Sequence, residues 1–153
     1  MSNIVVLPFN IEAEQAVIGA MLINDEAIYY ASNKLTKDDF YRKDHSIIFE
    51  AMRIMQLHSM PVDIVTVSEY LIKNNLMNEA GGPTLLTRLL NAVPTAANVG
   101  YYAKIVKEKA LERRLWYTLN DLSGMIGKTE LSAEELLEKA KLALNDIDSS
   151  SGE

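Results

Sequence analysis

The sequence predicts an all-α protein: a helical globular subdomain of five to six helices followed by an antiparallel helical hairpin. Three observations carry that reading. Apolar residues recur at helical spacing along nearly the whole chain, while the strand-like runs Ile4-Val5-Val6 and Ile64-Val65 are too short to carry weight. Capping residues, glycines and prolines divide the periodic stretches into separate segments. The longest segment bears two apolar stripes that are out of register with each other.

Helix one is expected after Asn10, a good N-cap residue, and runs to about Ile23. Ala13, Ala16, Val17, Ala20 and Met21 fall at i, i+3, i+4, i+7 and i+8, and Ile18 and Leu22 fill a second face. A helix that is apolar nearly all round belongs in the centre of a core. Its Ala16, Gly19 and Ala20 are small enough for a neighbour to approach closely. Helix two follows Asn24 or Asp25 and ends near Lys34. Helix three follows Asp44, carries Ile48, Ala51, Met52 and Met55 on one face, and is stopped by Pro61. Thr66-Val67-Ser68-Glu69 has the form of a capping box and opens helix four, which ends around Asn74-Asn75. Gly81-Gly82-Pro83 is a turn that places Pro at the first position of helix five. Leu85, Leu86, Leu89, Leu90 and Val93 form that helix's stripe, and Pro94 ends it.

Asn98 is the expected cap of a long helix six. Its first half offers Val99, Tyr102, Ala103, Val106 and Ala110. Its second half offers Leu111, Leu115, Leu119, Leu122 and Ile126. The stripe jumps by one residue, about 100° around the axis, so one straight helix needs two different partners. Gly127 ends it. Ser132 and Glu135 form a further capping box, with Leu131 and Leu136 as its hydrophobic staple. Helix seven then runs to about Ile147 with Ala133, Leu136, Leu137, Ala140, Leu144 and Ile147 on one side at near-heptad spacing. The expected division is a globular subdomain over 1–110, a hairpin over 111–148 that shares helix six with it, and the start of a linker over 149–153. Two helices of about four turns bury too little to stand alone. The hairpin either folds back on the first five helices or pairs with another copy, and the jump in stripe favours pairing.

Composition narrows the function. The chain is 48% hydrophobic and 24% charged, with 7 Gly and 4 Pro, an ordinary globular balance. It has no cysteine, which removes disulfides, thiolate metal sites and cysteine nucleophiles and leans towards a reducing compartment. The first basic residue is Lys34, so no secretory n-region precedes it. The longest apolar run, Ala16 to Ile23, is far short of a membrane span. The expected location is cytoplasmic. A net charge of −6 disfavours primary binding to nucleic acid.

Candidate chemistry is sparse. Gly124-Met125-Ile126-Gly127-Lys128-Thr129 ends like a phosphate-binding loop, but the required first glycine falls on Leu122 and the run follows a helix rather than a strand. It reads as a glycine-punctuated turn, not as the P-loop of an ATP-hydrolysing enzyme. His45 and His58 form no ligand cluster, and His45 reads as structural. The pairs Asp38-Asp39 and Glu134-Glu135 read as first-turn acids favoured by the helix dipole. No catalytic, cofactor or metal site is expected. The one basic run, Lys104 to Arg114, is interrupted by Glu108 and Glu112. It reads as a solvated helix face with at most weak direct DNA contact, and no aromatic ladder accompanies it. Trp116 and Tyr117 beyond it suit packing or interface anchors. A small helical DNA-binding regulator is the alternative of another class, and its mark would be salt-sensitive duplex binding.

Five ordered landmarks add a family resemblance. Pro8-Phe9-Asn10-Ile11-Glu12-Ala13-Glu14-Gln15-Ala16-Val17-Ile18-Gly19 is similar to the opening of the DnaB-type replicative DNA helicases. So, in order, are Phe40-Tyr41 before His45-Ser46-Ile47-Ile48-Phe49, then Pro61-Val62-Asp63-Ile64-Val65-Thr66-Val67, then Gly81-Gly82, then Pro94-Thr95-Ala96-Ala97-Asn98-Val99-Gly100-Tyr101-Tyr102-Ala103. The likeness extends to about residue 148 and loosens in the hairpin. Leu85 departs from it where the family often has an aromatic residue.

The resemblance implies the N-terminal domain alone, a non-catalytic collar module without the motor to which ATP and Mg belong. It implies a helical globule with a hairpin, assembled through head-to-head and hairpin-to-hairpin contacts into dimers and a hexameric trimer of dimers. It implies docking of the C-terminal domain of a DnaG-type primase, and it leaves open whether a helicase loader also docks. Leu111, Leu115, Leu119, Leu122, Leu136, Leu137, Ala140 and Leu144 are the expected self-association residues. Glu12, Tyr101, Tyr102 and Trp116 are the candidate partner-facing positions, of which Tyr102 also suits the core.

Overall fold

The central element is the first helix, α1 (Ile11–Ile23), as its all-round apolarity requires. In the computed structural model, which describes residues 6–92 and 95–151, it packs against α2 (Asp25–Lys34), α3 (Lys43–Leu57), α5 (Gly82–Leu90) and α6 (Val99–Met125). A 3-10 turn (Lys37–Asp39) joins α2 to α3, α4 (Ile64–Lys73) rests on α3 and α5, and α7 (Ala133–Ser151) follows α6. The described residues are helical or loop, with no strand. Ile4, Val5, Val93, Pro94, Gly152 and Glu153, on which some expectations rested, lie outside them.

The core forms where the predicted stripes meet. Ile18 and Met21 of α1, Ile28 of α2, Phe49, Met52 and Met55 of α3, Leu71 of α4 and Leu86 and Leu89 of α5 are shut off from solvent. Phe40 lies tilted on Phe49 with ring centroids 4.9 Å apart. The first half of α6 buries Val99, Ala103, Val106 and Ala110 against the globule, as its stripe demands.

Local signals place most boundaries. Asn10 Oδ1 accepts from the Ala13 amide at 2.9 Å, and Asn24 Oδ1 accepts from the Glu26 amide at 2.7 Å. Ser132 and Glu135 exchange both bonds of the expected capping box. Five boundaries differ from expectation, the first being the end of α5, which stops at Leu90 with Asn91 as its C-cap, short of Val93 and Pro94. Helix α3 starts at Lys43, because Asp44 sits within the first turn, held by the fork of Arg42 at 3.0 and 2.7 Å. It ends at Leu57, where Ser59 at φ 57° turns the chain before Pro61 is reached. Helix α4 starts a turn early: Asp63, not Thr66, is the cap, accepting from the Val65 and Thr66 amides at 2.9 Å while Thr66 Oγ1 accepts from the Asp63 amide at 2.8 Å. Helix α7 runs to Ser151, into the serine tail expected to begin a linker.

Candidate functional site

The last buried residue of α6 is Arg113. Beyond it, α6 continues for more than three turns and α7 returns along it. Helix α6 is the element α7 packs against. The return is made by a turn in which Gly127 takes φ +74°, a left-handed conformation glycine adopts without steric cost. The glycine-lysine run at residues 124–129 is therefore the bend between two helices, not a strand-to-helix phosphate cradle.

Between the two helices lies an apolar groove of about 430 Å³, lined by Leu119, Leu122, Ser123 and Ile126 of α6 and the turn, and by Ala133, Leu136, Leu137, Ala140 and Leu144 of α7. Six of the eight expected self-association residues converge there. Leu111 and Leu115 do not line it; Leu111 is half-buried next to Ala110, and Leu115 is exposed higher on the shaft. Ile126 and Ala133 were in the predicted stripes, so periodicity had marked them for the groove though they were not counted as site residues. Leu119 is 50% exposed, Leu137 58% and Ile126 67%. That much aliphatic surface gathered on one face, open to water, costs about 25 cal/mol per Å² relative to burial and is a contiguous patch rather than scattered surface apolarity.

Where the shaft leaves the globule, charge is handled inside. The Nη1 of Arg113 donates to the Pro8 carbonyl at 2.8 Å and Nη2 to the Asp39 carbonyl at 2.7 Å. The guanidinium carbon lies 5.5 Å from the centre of the Tyr41 ring, which stacks on Phe9 at 4.6 Å. The Asp39 carboxylate, itself buried, accepts from the Thr36 amide at 2.8 Å and from Lys107 Nζ at 3.1 Å, with Arg114 Nη2 3.5 Å away. Here the sequence reading is corrected. The run Lys104 to Arg114 is a solvated face only in part: Lys104 and Glu108 are exposed and Lys109 pairs with Glu112, but Lys107, Arg113 and Arg114 turn to the globule, because the 3-10 turn delivers a buried carboxylate and a carbonyl to them. Asp39 is likewise no simple first-turn acid. No local pattern signals this, since 74 residues separate Asp39 from Arg113.

The four candidate partner-facing residues do not share one patch. Glu12 is exposed on the first turn of α1, and Tyr101 is 77% exposed on the first turn of α6. Tyr102, one residue on, is half-buried and packs on the core from the edge. Trp116 is half-buried on the shaft, edge-on to Tyr117 with centroids 5.3 Å apart. The structure gathers the hairpin residues and leaves these four dispersed.

Residues 6–108 match the family model described as the DnaB-like helicase N-terminal domain. The chain is 44% identical over 140 residues to the replicative DNA helicase DnaC of Bacillus subtilis and 41% identical to the replicative DNA helicase DnaB of Geobacillus stearothermophilus, covering 92% of this chain each time. It spans 31% of the length of those relatives. Among solved structures, it superposes with a TM-score of 0.87 on the N-terminal domain of DnaB helicase from Mycobacterium tuberculosis, at 36% identity and over 92% of this chain and 99% of that one. It shares its fold, at a TM-score of 0.74 and 22% identity, with 31% of a DnaB-like replicative helicase solved for its interactions with primase, covering 90% of this chain.

Proposed function

The chain belongs to the DnaB-like helicase N-terminal domain family, and from that premise we propose that it is the assembly and docking module of a replicative helicase. One observation carries the reading: the open apolar groove on a hairpin whose α7, among the described residues, packs on α6. A second copy of the hairpin is self-complementary to that groove, because a two-fold axis brings the same leucines to both sides of a contact. Dimers formed this way would be the building blocks of a hexameric collar. ATP binding, magnesium and unwinding are assigned to the part of the relatives that this chain does not span.

Primase docking is the second element of the proposal. Support comes from the fold shared with a helicase solved for its interactions with primase. Exposed Glu12 and Tyr101 are the positions offered for it. Direct DNA contact is a minor element, since three cations of the basic run are already committed to the globule. No helix is long and apolar enough to cross a membrane among the described residues, and the proposed place of work is the cytoplasm.

Native mass spectrometry tests assembly: dimers or higher multiples are expected, and monomers alone at every concentration count against it. Calorimetric titration with a purified primase C-terminal domain tests docking. Heat that Tyr101→Ala weakens is expected, and no heat with no co-elution removes that element.

A further inference from the structure

Helix α6 works as a lever. Its seat on the globule runs from Val99 to Ala110, and the side chains it buries fully there, Val99, Ala103, Val106 and Ala110, are small or branched. The last buried side chain is Arg113, Arg114 beside it still reaches the Asp39 carboxylate, and from there to Met125 no side chain is buried. That free arm is about 18 Å long at 1.5 Å per residue, and α7 rides on it. The direction of the hairpin relative to the globule is therefore transmitted through one helix and fixed at one end.

We propose that Arg113 is a positioning residue that sets the take-off angle of the hairpin, by tying α6 at once to the Pro8 carbonyl of the N-terminal segment and the Asp39 carbonyl of the 3-10 turn. Two acceptors on different segments, at 2.8 and 2.7 Å, hold a planar fork against rotation in a way that one contact cannot. Tyr41 covers the fork, and Phe9 backs Tyr41. The same turn holds Lys107 and Arg114 through the Asp39 carboxylate, on either side of Arg113 along the helix. Stability alone does not ask for this arrangement. A buried cation is costly to desolvate, and an apolar residue at its place would pack against the aromatic pair without that cost. What the cation supplies is orientation. For the assembly reading, on which this consequence rests, the angle decides how neighbouring globules are spaced once hairpins pair.

The chain has no native cysteine, so spin labels can be placed cleanly at Lys73→Cys on α4 and Glu138→Cys on α7. Pulsed dipolar spectroscopy, with labelled chain diluted into excess unlabelled chain, reads the globule-to-hairpin distance within one molecule, whether or not molecules pair. A single narrow distribution is expected for the parent. Arg113→Met should broaden or displace it by about 3 Å, the movement of a label about 10 Å along the arm for a tilt of about 15°. Arg113→Lys should give an intermediate result, because an ammonium serves one carbonyl at a time. Unchanged circular dichroism in Arg113→Met would show that the helices persist. A parent-like distribution in a folded Arg113→Met overturns the proposal. Should that variant fail to fold, Arg113→Lys decides, since it keeps the charge and loses one of the two carbonyl bonds: broadening supports the proposal and an unchanged distribution overturns it.

Discussion

His45 Nδ1 lies 2.8 Å from Glu14 Oε1, and neither side chain reaches solvent. The contact ties the first turn of α1 to the start of α3. The other oxygen of Glu14 accepts from the Tyr41 amide at 2.7 Å, so one carboxylate fixes the segment that carries Phe40, Tyr41 and the foot of α3. Glu14 is the one charged residue buried along α1, and it lies inside the Pro8 to Gly19 run that resembles the family opening.

Removing one partner of a buried polar pair leaves the other uncompensated. Glu14→Ala is expected to lower stability by about 3–5 kcal/mol. Glu14→Gln should cost less, because an amide oxygen can still accept from the Tyr41 backbone. Urea denaturation of the three proteins checks the order; equal stability in Glu14→Ala and the parent would contradict it.

The cap of α4 makes a sharper test of local structure. Asp63→Ala should cost about 1 kcal/mol, since it removes the acceptor for two amides. Glu69→Ala should fall within about 0.5 kcal/mol of the parent, as for ordinary exposed positions. The reverse order in thermal melts would restore Thr66 as the helix start.

That cap shows how far sequence reading reached. Thr66-Val67-Ser68-Glu69 fits the capping-box pattern, yet Asp63-Ile64-Val65-Thr66 makes the same reciprocal pair one turn earlier, and the shorter acid takes both first-turn amides. Periodicity gave the helices, their apolar faces and the groove, because burial repeats with the helical turn. It gave nothing of the Asp39–Arg113 tie or of Glu14 holding Tyr41, which depend on how the chain closes over 74 and 27 residues. Charge patterns read locally look solvated until a distant segment supplies their partners. The four partner-facing candidates share no helical spacing in the sequence, and the fold leaves them on no common patch.

Acid sensitivity has a local source at the foot of α3. The Asp44 carboxyl is held below the usual carboxylate range, first by its hydrogen bonds from Arg42. A lowered folded-state value means stability that is present above the unfolded value, near pH 4, and is lost as pH falls through the lower folded one. Thermal melts between about pH 5 and pH 2 should therefore show a smaller acid-induced loss in Asp44→Asn than in the parent. Because the pair is partly exposed, added salt should narrow that difference. Parallel curves would contradict the assignment.

Gly81 stands at φ +91°, and a Cβ there would collide with Leu85 Cδ2. Gly81→Ala should lower the stability of the globule by at least about 1–2 kcal/mol, from the left-handed backbone alone. Chemical denaturation checks it, and a neutral result would mean that the turn before α5 re-forms in another conformation.

Multi-angle light scattering across a dilution series tests most directly whether the hairpin is completed by another copy. The chain should associate as concentration rises. Leu119→Asp combined with Leu144→Asp, which places two charges in the groove, should hold it at the monomer mass with its helical content intact. A parent protein that stays monomeric at the highest concentration reached, or a double variant that associates as strongly as the parent, would contradict the account.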